Sequence, residues 1–418
     1  MSNVVDGKFQ QAKDKDLLHC DFCGTPEREG LPLVSNRTVN ICGECIKMCY
    51  ELIEETLTEE QKLDLTFTKK TPSKIVEFLD EYVIGQDTAK KTLALAIYNH
   101  YKRIKNPIIK DVELQKSNIL MVGPSGTGKT YIVQTIARFL DIPFAIADAT
   151  SLSATGWVGD DVETVLQRLI QNAGGDVKKA EYGIIYIDEI DKIAKKAIGA
   201  SHSKDPAGEG VQQGLLKIIE GTKSRVPKEG GRKVSSDSMD MIDTTHILFI
   251  CGGAFVGLDD IIDKRSNMTS TGIGFGAIVD KAERVVRDPE PEDLYEFGFI
   301  PELVGRLPVI AVLQDLTEDA LGKILTEPKN SVIRQFQALA EMDGAELEFS
   351  KDAILAIAKQ AKARKTGARG LRSVVEHLLN DTMFDLPDRE DGTKVVVSAK
   401  NDELNIKVRQ PRRAKSAD

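Results

Sequence analysis

The stretch SNILMVGPSGTGKTYIVQTIARFL, residues 117–140, decides how the rest of the chain is read. It opens as an apolar run of strand character, passes through GPSGTGKT at Gly123–Thr130, and closes with helical spacing. The middle part fits G-x-x-x-x-G-K-[ST] in the strand–loop–helix setting that this pattern requires. Glycines there let backbone N–H groups close around phosphate oxygens, and the helix N-terminus adds positive potential. Gly123, Pro124, Ser125, Gly126, Thr127 and Gly128 form the expected cradle. Lys129 is expected to reach the terminal phosphates and Thr130 to hold Mg²⁺. A Gly-rich turn that merely joins strand to helix is the competing reading, and the full match in context weighs against it.

Outward from this loop, YGIIYID (182–188) and HILFICGG (246–253) are continuously apolar, as strands covered on both faces are. Across residues 71–313 such runs alternate with helical patterns, the signature of an α/β domain with a largely parallel sheet. IIYIDE ends in paired acids. Asp188 at the strand tip is placed to hold magnesium through water, and Glu189 to polarise the attacking water. Acids at a strand end are common by themselves; after a phosphate loop they complete a nucleotide hydrolase. Asp191 reads only as a helix-start acid. Residues 314–409 are mostly helical, with ELEF, KVVVSA and LNIKV as short strands, and read as a separate small α+β domain. The tail, 410–418, is expected to be disordered. The polar, Gly-rich stretches 195–214 and 223–240 read as long loops.

Composition bounds the remaining classes. The 418 residues are 41% hydrophobic and 29% charged, which fits a soluble globular chain of several domains. Lys and Arg number 56 against 65 Asp and Glu, a net charge of −9 that argues against a broad nucleic-acid surface. No apolar run approaches the roughly 18 residues of a membrane helix, and no secretory pattern opens the chain. The expected location is the cytoplasm. Five of the six cysteines fall in the first 49 residues. Cys20-x₂-Cys23 and Cys42-x₂-Cys45, eighteen residues apart, have the spacing of a Cys₄ zinc site. A cytosolic chain disfavours disulfides, and a module as small as 1–50 needs such a staple. Cys49 falls outside the pattern, and Cys251 reads as a core residue. A nucleic-acid zinc finger is the rival reading, but acids outnumber bases here and no basic helix follows the ligands. Residues 51–70 are charged and read as a tether or a short helix.

GPSGTGKT, IIYIDE, GRLP (Gly305–Pro308) and TGARGLR (Thr366–Arg372) stand in the order and spacing of AAA+ ATPases. Within that class the chain resembles the ClpX family over nearly its whole length, cysteine module included. The resemblance implies an α/β AAA+ domain with a parallel sheet flanked by helices, a small α+β C-terminal domain and the N-terminal zinc module. It implies an ATP-driven homo-hexamer that pulls unfolded or tagged proteins, with or without adaptors, through a pore into a separate ClpP-type peptidase. ATP, Mg²⁺ and Zn²⁺ are its expected cofactors, and neither nucleic acid nor membrane is an expected partner. A stand-alone remodelling chaperone would use the same motor without the peptidase. The unfoldase that partners the HslV peptidase lacks the cysteine module and is the weaker match.

Residue by residue, the likeness implies that Val83 and Ile84, in DEYVIGQDTAKKTLALAIYNHYKR (80–103), pack against the base; alone they read equally as a core contact. Arg306 resembles the arginine finger that reaches a neighbour's nucleotide, and Arg369 the sensor arginine for its own. Either alone would read as a surface ion pair. GWVG (156–159) resembles an aromatic pore loop, with Trp157 where Tyr is usual and Val158 beside it. Burial of Trp157 against the following helix is the other reading. GEGVQQ (208–213) matches the second pore-loop region. Arg232 and Lys233 in GGRKV resemble the basic pore entrance, with Val234 where His is common. Ile273-Gly274-Phe275 resembles the tripeptide that docks on the peptidase, although composition alone favours a buried turn. One departure concerns Cys251–Gly252–Gly253, where many ATPases of this class carry a polar sensor.

Overall fold

The computed structural model describes residues 18–26, 33–35, 39–56, 70–105, 108–109, 111–152, 162–195, 206–227, 239–270, 288–364 and 366–410. The chain forms two compact units, Met1–Thr66 and Phe67–Asp418.

In the first unit β1 (Leu33–Ser35) pairs antiparallel with β2 (Asn40–Cys42), which runs directly into α1 (Gly43–Thr56). Its buried centre consists of Cys20, Cys42 and Cys45, with Leu33 and Ile41 packed against them. So small an apolar centre cannot offset the chain entropy of the module by itself. The opening of the expected tether belongs to α1; residues 57–69 lie outside the described residues.

The second unit begins with α2 (Pro72–Asp80) and α3 (Asp87–Lys105), then a small hairpin, β3 (Ile108–Ile109) and β4 (Val112–Glu113). Next come β5 (Ile119–Val122), α4 (Lys129–Leu140), β6 (Phe144–Asp148), α5 (Val162–Asn172), the single turn α6 (Val177–Ala180) and β7 (Ile184–Asp188). After α7 (Pro206–Glu220) and the hairpin β8 (Lys223–Pro227) with β9 (Met239–Asp243), the chain enters β10 (Leu248–Gly253). The large part ends with α8 (Leu258–Ser270), α9 (Pro291–Phe297), α10 (Pro301–Gly305) and β11 (Val309–Val312). Five strands make one parallel sheet in the order β11-β5-β10-β7-β6. Ile250 on the central β10 faces Ile119 on one side and Tyr186 on the other. Every residue of β5 and β10 is buried, which explains why those segments read as unbroken apolar runs. Helices pack against the sheet, with α3 on β11 and α5 on β6. Leu120, Ile185, Ile187 and Phe249 share one core with Leu166 and Leu169 of α5 and Leu215 of α7.

The expectation of loop across 195–214 fails at residue 206, where α7 begins. Val211, Leu215, Ile218 and Ile219 recur at helical spacing and are buried, and Pro206 suits the first helical position. Gly208 serves close packing rather than a turn, since a Cβ there would lie 2.8 Å from the Ile193 carbonyl oxygen. In the same way Lys223–Pro227 and Met239–Asp243 form a hairpin within the stretch read as a loop. Residues 196–205 and 228–238 lie outside the described residues.

Beyond β11 follow α11 (Glu318–Thr326), α12 (Val332–Met342), β12 (Glu346–Phe349), α13 (Lys351–Ala363), α14 (Ala368–Asp385), β13 (Lys394–Lys400) and β14 (Glu403–Arg409). Three helices start on hydroxyl caps: Thr317, Ser331 and Ser350 accept from the backbone N–H groups of Ala320, Arg334 and Ala353. β13 runs parallel to β12 and antiparallel to β14, so the three short strands read from sequence form one sheet. Leu325, Phe336, Ile357, Leu371, Leu379 and Val395 form a core of their own. Among the described residues no helix is long and apolar enough to cross a membrane.

Candidate functional site

The phosphate loop leaves β5 at Gly123 and enters α4 at Lys129. At Gly126 the backbone is left-handed (φ 77°), and a Cβ would lie 2.3 Å from the Thr366 carbonyl oxygen. Only glycine fits both demands. Thr127 Oγ1 donates to the Pro124 carbonyl at 2.8 Å, closing the loop on itself. Lys129 is buried, and its Nζ donates to the carbonyl oxygens of Gly123 (2.6 Å) and Pro124 (2.9 Å). Burial pushes this ammonium below the ordinary lysine range, while Asp188 and Asp191 pull it back up. A desolvated cation at the mouth of a helix N-terminus is an anion receptor.

Asp188 ends β7 beside that loop. Thr130 Oγ1 donates to its Oδ2 at 2.9 Å, and the Tyr186 hydroxyl and the Glu189 N–H reach its Oδ1 at 3.3 and 3.0 Å. Glu189 follows at φ 55°, a left-handed setting uncommon for a glutamate, and opens the short 3₁₀ turn Ile190–Ile193. Asp191 is buried, and its Oδ1 accepts from the Ala254 N–H at 3.2 Å, tying this turn to the end of β10.

A cavity of about 570 Å³ opens over these groups. Ser125, Lys129, Thr130, Asp188 and Glu189 line one wall, and Ser331, Gln335 and Arg369 of the small domain line another. The two walls are bonded through the backbone, with the Ala368 N–H donating to the Gly126 carbonyl at 3.0 Å. Arg369 is thereby fixed in the first turn of α14 beside the phosphate loop.

Other residues singled out in the sequence lie elsewhere. Val83 and Ile84 do not line the cavity; Tyr82 does. Val83 is buried, and its carbonyl accepts from Lys90 Nζ at 2.6 Å, so the segment turns its tyrosine to the opening. Arg306, just past α10, also stays outside its own chain's cavity. Its guanidinium, 53% exposed, pairs with Glu220 at 2.8 Å. Trp157, Val158, Arg232, Lys233, Ile273, Gly274 and Phe275 lie outside the described residues.

Sequence reasoning missed several polar residues that hold these parts together. Asn118 donates to the Arg306 carbonyl and accepts from the Phe249 N–H. The Gln212 amide donates to Ile193 and Gly298 and accepts from the Ile300 N–H, joining α7, the turn after Glu189 and the start of α10. A lone polar residue inside an apolar run was the available signal for Tyr186, whereas Asn118 ends a polar stretch and carried none.

In the first unit the sulfurs of Cys20, Cys23, Cys42 and Cys45 lie within 4.8 Å of one another. The Cys42 and Cys45 N–H groups donate to the sulfurs of Cys20 and Cys42. Four convergent soft donors with backbone donors behind them fit a tetrahedral zinc ion, whose ligand sulfurs stand about 3.8 Å apart. Cys49 is not part of this cluster.

Three family profiles match the chain. An AAA domain (Cdc48 subfamily) covers residues 114–310, a ClpX C4-type zinc finger covers 18–55, and the C-terminal D2-small domain of ClpB protein covers 316–397. Over 390 residues the chain is 50% identical to the ATP-dependent Clp protease ATP-binding subunit ClpX of Treponema denticola, spanning 92% of this chain and 93% of that one. The chain belongs to the ClpX family. Like its relatives in that family it is an AAA-type ATPase, with ATP as its nucleotide and a zinc module preceding the AAA domain in sequence.

Proposed function

We propose that this ClpX-family chain assembles as a homo-hexamer, uses ATP hydrolysis to draw unfolded or tagged proteins through a central pore, and delivers them to a ClpP-type peptidase. The relative's description as a subunit of the Clp protease supports the partnership. The observation that carries the motor reading is the seam at Ala368 and Gly126, where the small domain hangs on the phosphate loop by a backbone bond. Nucleotide filling or leaving that loop acts directly on the orientation of α14, which turns chemistry into domain movement.

In this reading Lys129 and the N-terminus of α4 bind the terminal phosphates. Thr130 Oγ1 and the Asp188 carboxylate are hard oxygen donors that fit Mg²⁺. The ion, when bound, supplies charge neutralisation at the phosphate oxygens. Glu189 orients the attacking water and accepts its proton. Arg369 lines its own chain's cavity, whereas the exposed Arg306 is suited to a neighbour's, where it offsets transition-state charge. Trp157 and Val158 are assigned to gripping the polypeptide, Arg232 and Lys233 to capturing it, and Ile273-Gly274-Phe275 to docking on the peptidase. Residues 1–50 are the zinc module, 51–70 the linker, 71–313 the large and 314–409 the small ATPase domain in this scheme.

The test is degradation of a tagged, folded protein with ATP, with and without an added barrel peptidase. Loss of the substrate only when ATP, this chain and the peptidase are all present is the expected result. Unfolding that proceeds while the peptidase never cuts would favour the stand-alone remodelling chaperone.

A further inference from the structure

The strand that ends in Cys251–Gly252–Gly253 brings no polar side chain of its own to the phosphate site, yet the space beside Gly252 is filled. A Cβ on Gly252 would lie 2.0 Å from the hydroxyl oxygen of Tyr186 and 2.7 Å from the ring carbon that bears it. Tyr186 sits on the neighbouring strand, opposite Ile250 in register. Its ring therefore extends along β10, and the hydroxyl emerges where the side chain of Gly252 would have been. From there it donates to Asp188 Oδ1.

The placement is costly unless the hydroxyl has a purpose. Tyr186 is 0% exposed, between aliphatic neighbours on both flanking strands, and a buried phenol needs a partner. The partner is a carboxylate already held on its other oxygen by Thr130. A phenol carries its proton at neutral pH and an ionised carboxylate can only accept, so the hydroxyl acts as the donor. Donors on both oxygens fix the carboxylate plane. The same Oδ1 accepts the Glu189 N–H, so that plane also bears on the glutamate's left-handed backbone.

We propose that Tyr186 is a positioning residue of the ATPase site: its hydroxyl, admitted by the missing side chain of Gly252, sets the orientation of Asp188 toward Mg²⁺. The inference rests on the reading of Asp188 as the magnesium-holding acid. It accounts for Gly252 at the tip of β10, since any larger residue there would evict the hydroxyl.

The experiment compares Tyr186→Phe, Gly252→Ala, their double variant and Asp188→Asn in the full chain. It reads the affinity for a slowly hydrolysed ATP analogue with and without Mg²⁺, the Mg²⁺ concentration for half-maximal hydrolysis, and the melting temperature. Tyr186→Phe is expected to raise the Mg²⁺ requirement roughly tenfold, the size of one hydrogen bond to a charged group. Binding without Mg²⁺ and melting temperature should stay at wild-type values. Gly252→Ala should give the same shift, and the double variant no more than either. If Asp188→Asn abolishes the Mg²⁺ effect while Tyr186→Phe leaves it unchanged, the role of Tyr186 is overturned. Should Asp188→Asn itself keep a normal Mg²⁺ requirement, the reading of Asp188 fails and takes the proposal with it. If Tyr186→Phe lowers Mg²⁺-free binding and melting temperature without changing the Mg²⁺ requirement, the hydroxyl is only a core bond, and the proposal is also overturned.

Discussion

Glu189 occupies a backbone setting that an unconstrained glutamate avoids, and it does so next to the carboxylate that three donors hold in place. Its side chain lines the cavity without belonging to the phosphate-binding groups. Glu189→Gln should therefore leave ATP binding near wild type while hydrolysis falls roughly 10²- to 10⁴-fold, the usual range for a lost general base. Paired binding and turnover measurements check this, and near-normal turnover would remove Glu189 from that role. At this scale the phosphate loop and the paired acids were legible because their chemistry demands contiguous residues. Tyr82 was not, because which side chain of Tyr82-Val83-Ile84 faces the cavity depends on the turn after α2. The pairing of Arg306 with Glu220 joins residues far apart in sequence, and no local pattern announces it.

Among elements, α7 shows what composition hides. Its glycines suggested a loop, whereas four buried apolar residues and a close approach to Ile193 make it a helix. α3 carries a different device, a buried histidine in a cationic neighbourhood. His100 is buried and its Nε2 lies 3.0 Å from the His246 carbonyl, so that nitrogen carries the proton and Nδ1 has no partner among the described residues. Burial, reinforced by Arg103, Lys116 and His246, holds its pKa well below the ordinary value. The folded state thus keeps His100 neutral while the unfolded chain takes up a proton below about pH 6.5. Stability present above that pH is lost as pH falls toward the depressed folded value. Melting temperature should drop between pH 7 and 5, and His100→Gln should flatten that slope; equal slopes would refute the assignment. In the first unit three of the four clustered thiols, Cys20, Cys42 and Cys45, form the buried centre. Replacing Cys20 and Cys23 by Ser should release zinc, seen by elemental analysis, and unfold residues 18–56, while ATP hydrolysis by the second unit persists. An intact protein without zinc would contradict this. Cysteine spacing made that element readable from sequence, since metal geometry leaves few alternatives.

On the scale of the whole molecule, the sheet order places the phosphate loop, the paired acids and the tip of β10 side by side at one end of a parallel sheet. The small domain closes the cavity over them through Ala368 and Arg369. That architecture was legible from three apolar runs and one loop motif, whereas the seam at Gly126 was not, because it is a backbone contact between distant segments. The proposal that ATP turnover in this cavity pulls on polypeptide depends on that closure. It is tested most directly by following unfolding of a stable, tagged protein alongside ATP hydrolysis on one preparation. The wild-type chain should unfold the substrate with ATP but not with a non-hydrolysable analogue, and Trp157→Ala should hydrolyse ATP at near wild-type rate while unfolding falls at least about tenfold, as expected for loss of a large aromatic anchor. A wild-type chain that turns over ATP yet leaves the substrate folded at every ATP concentration would overturn the pulling mechanism.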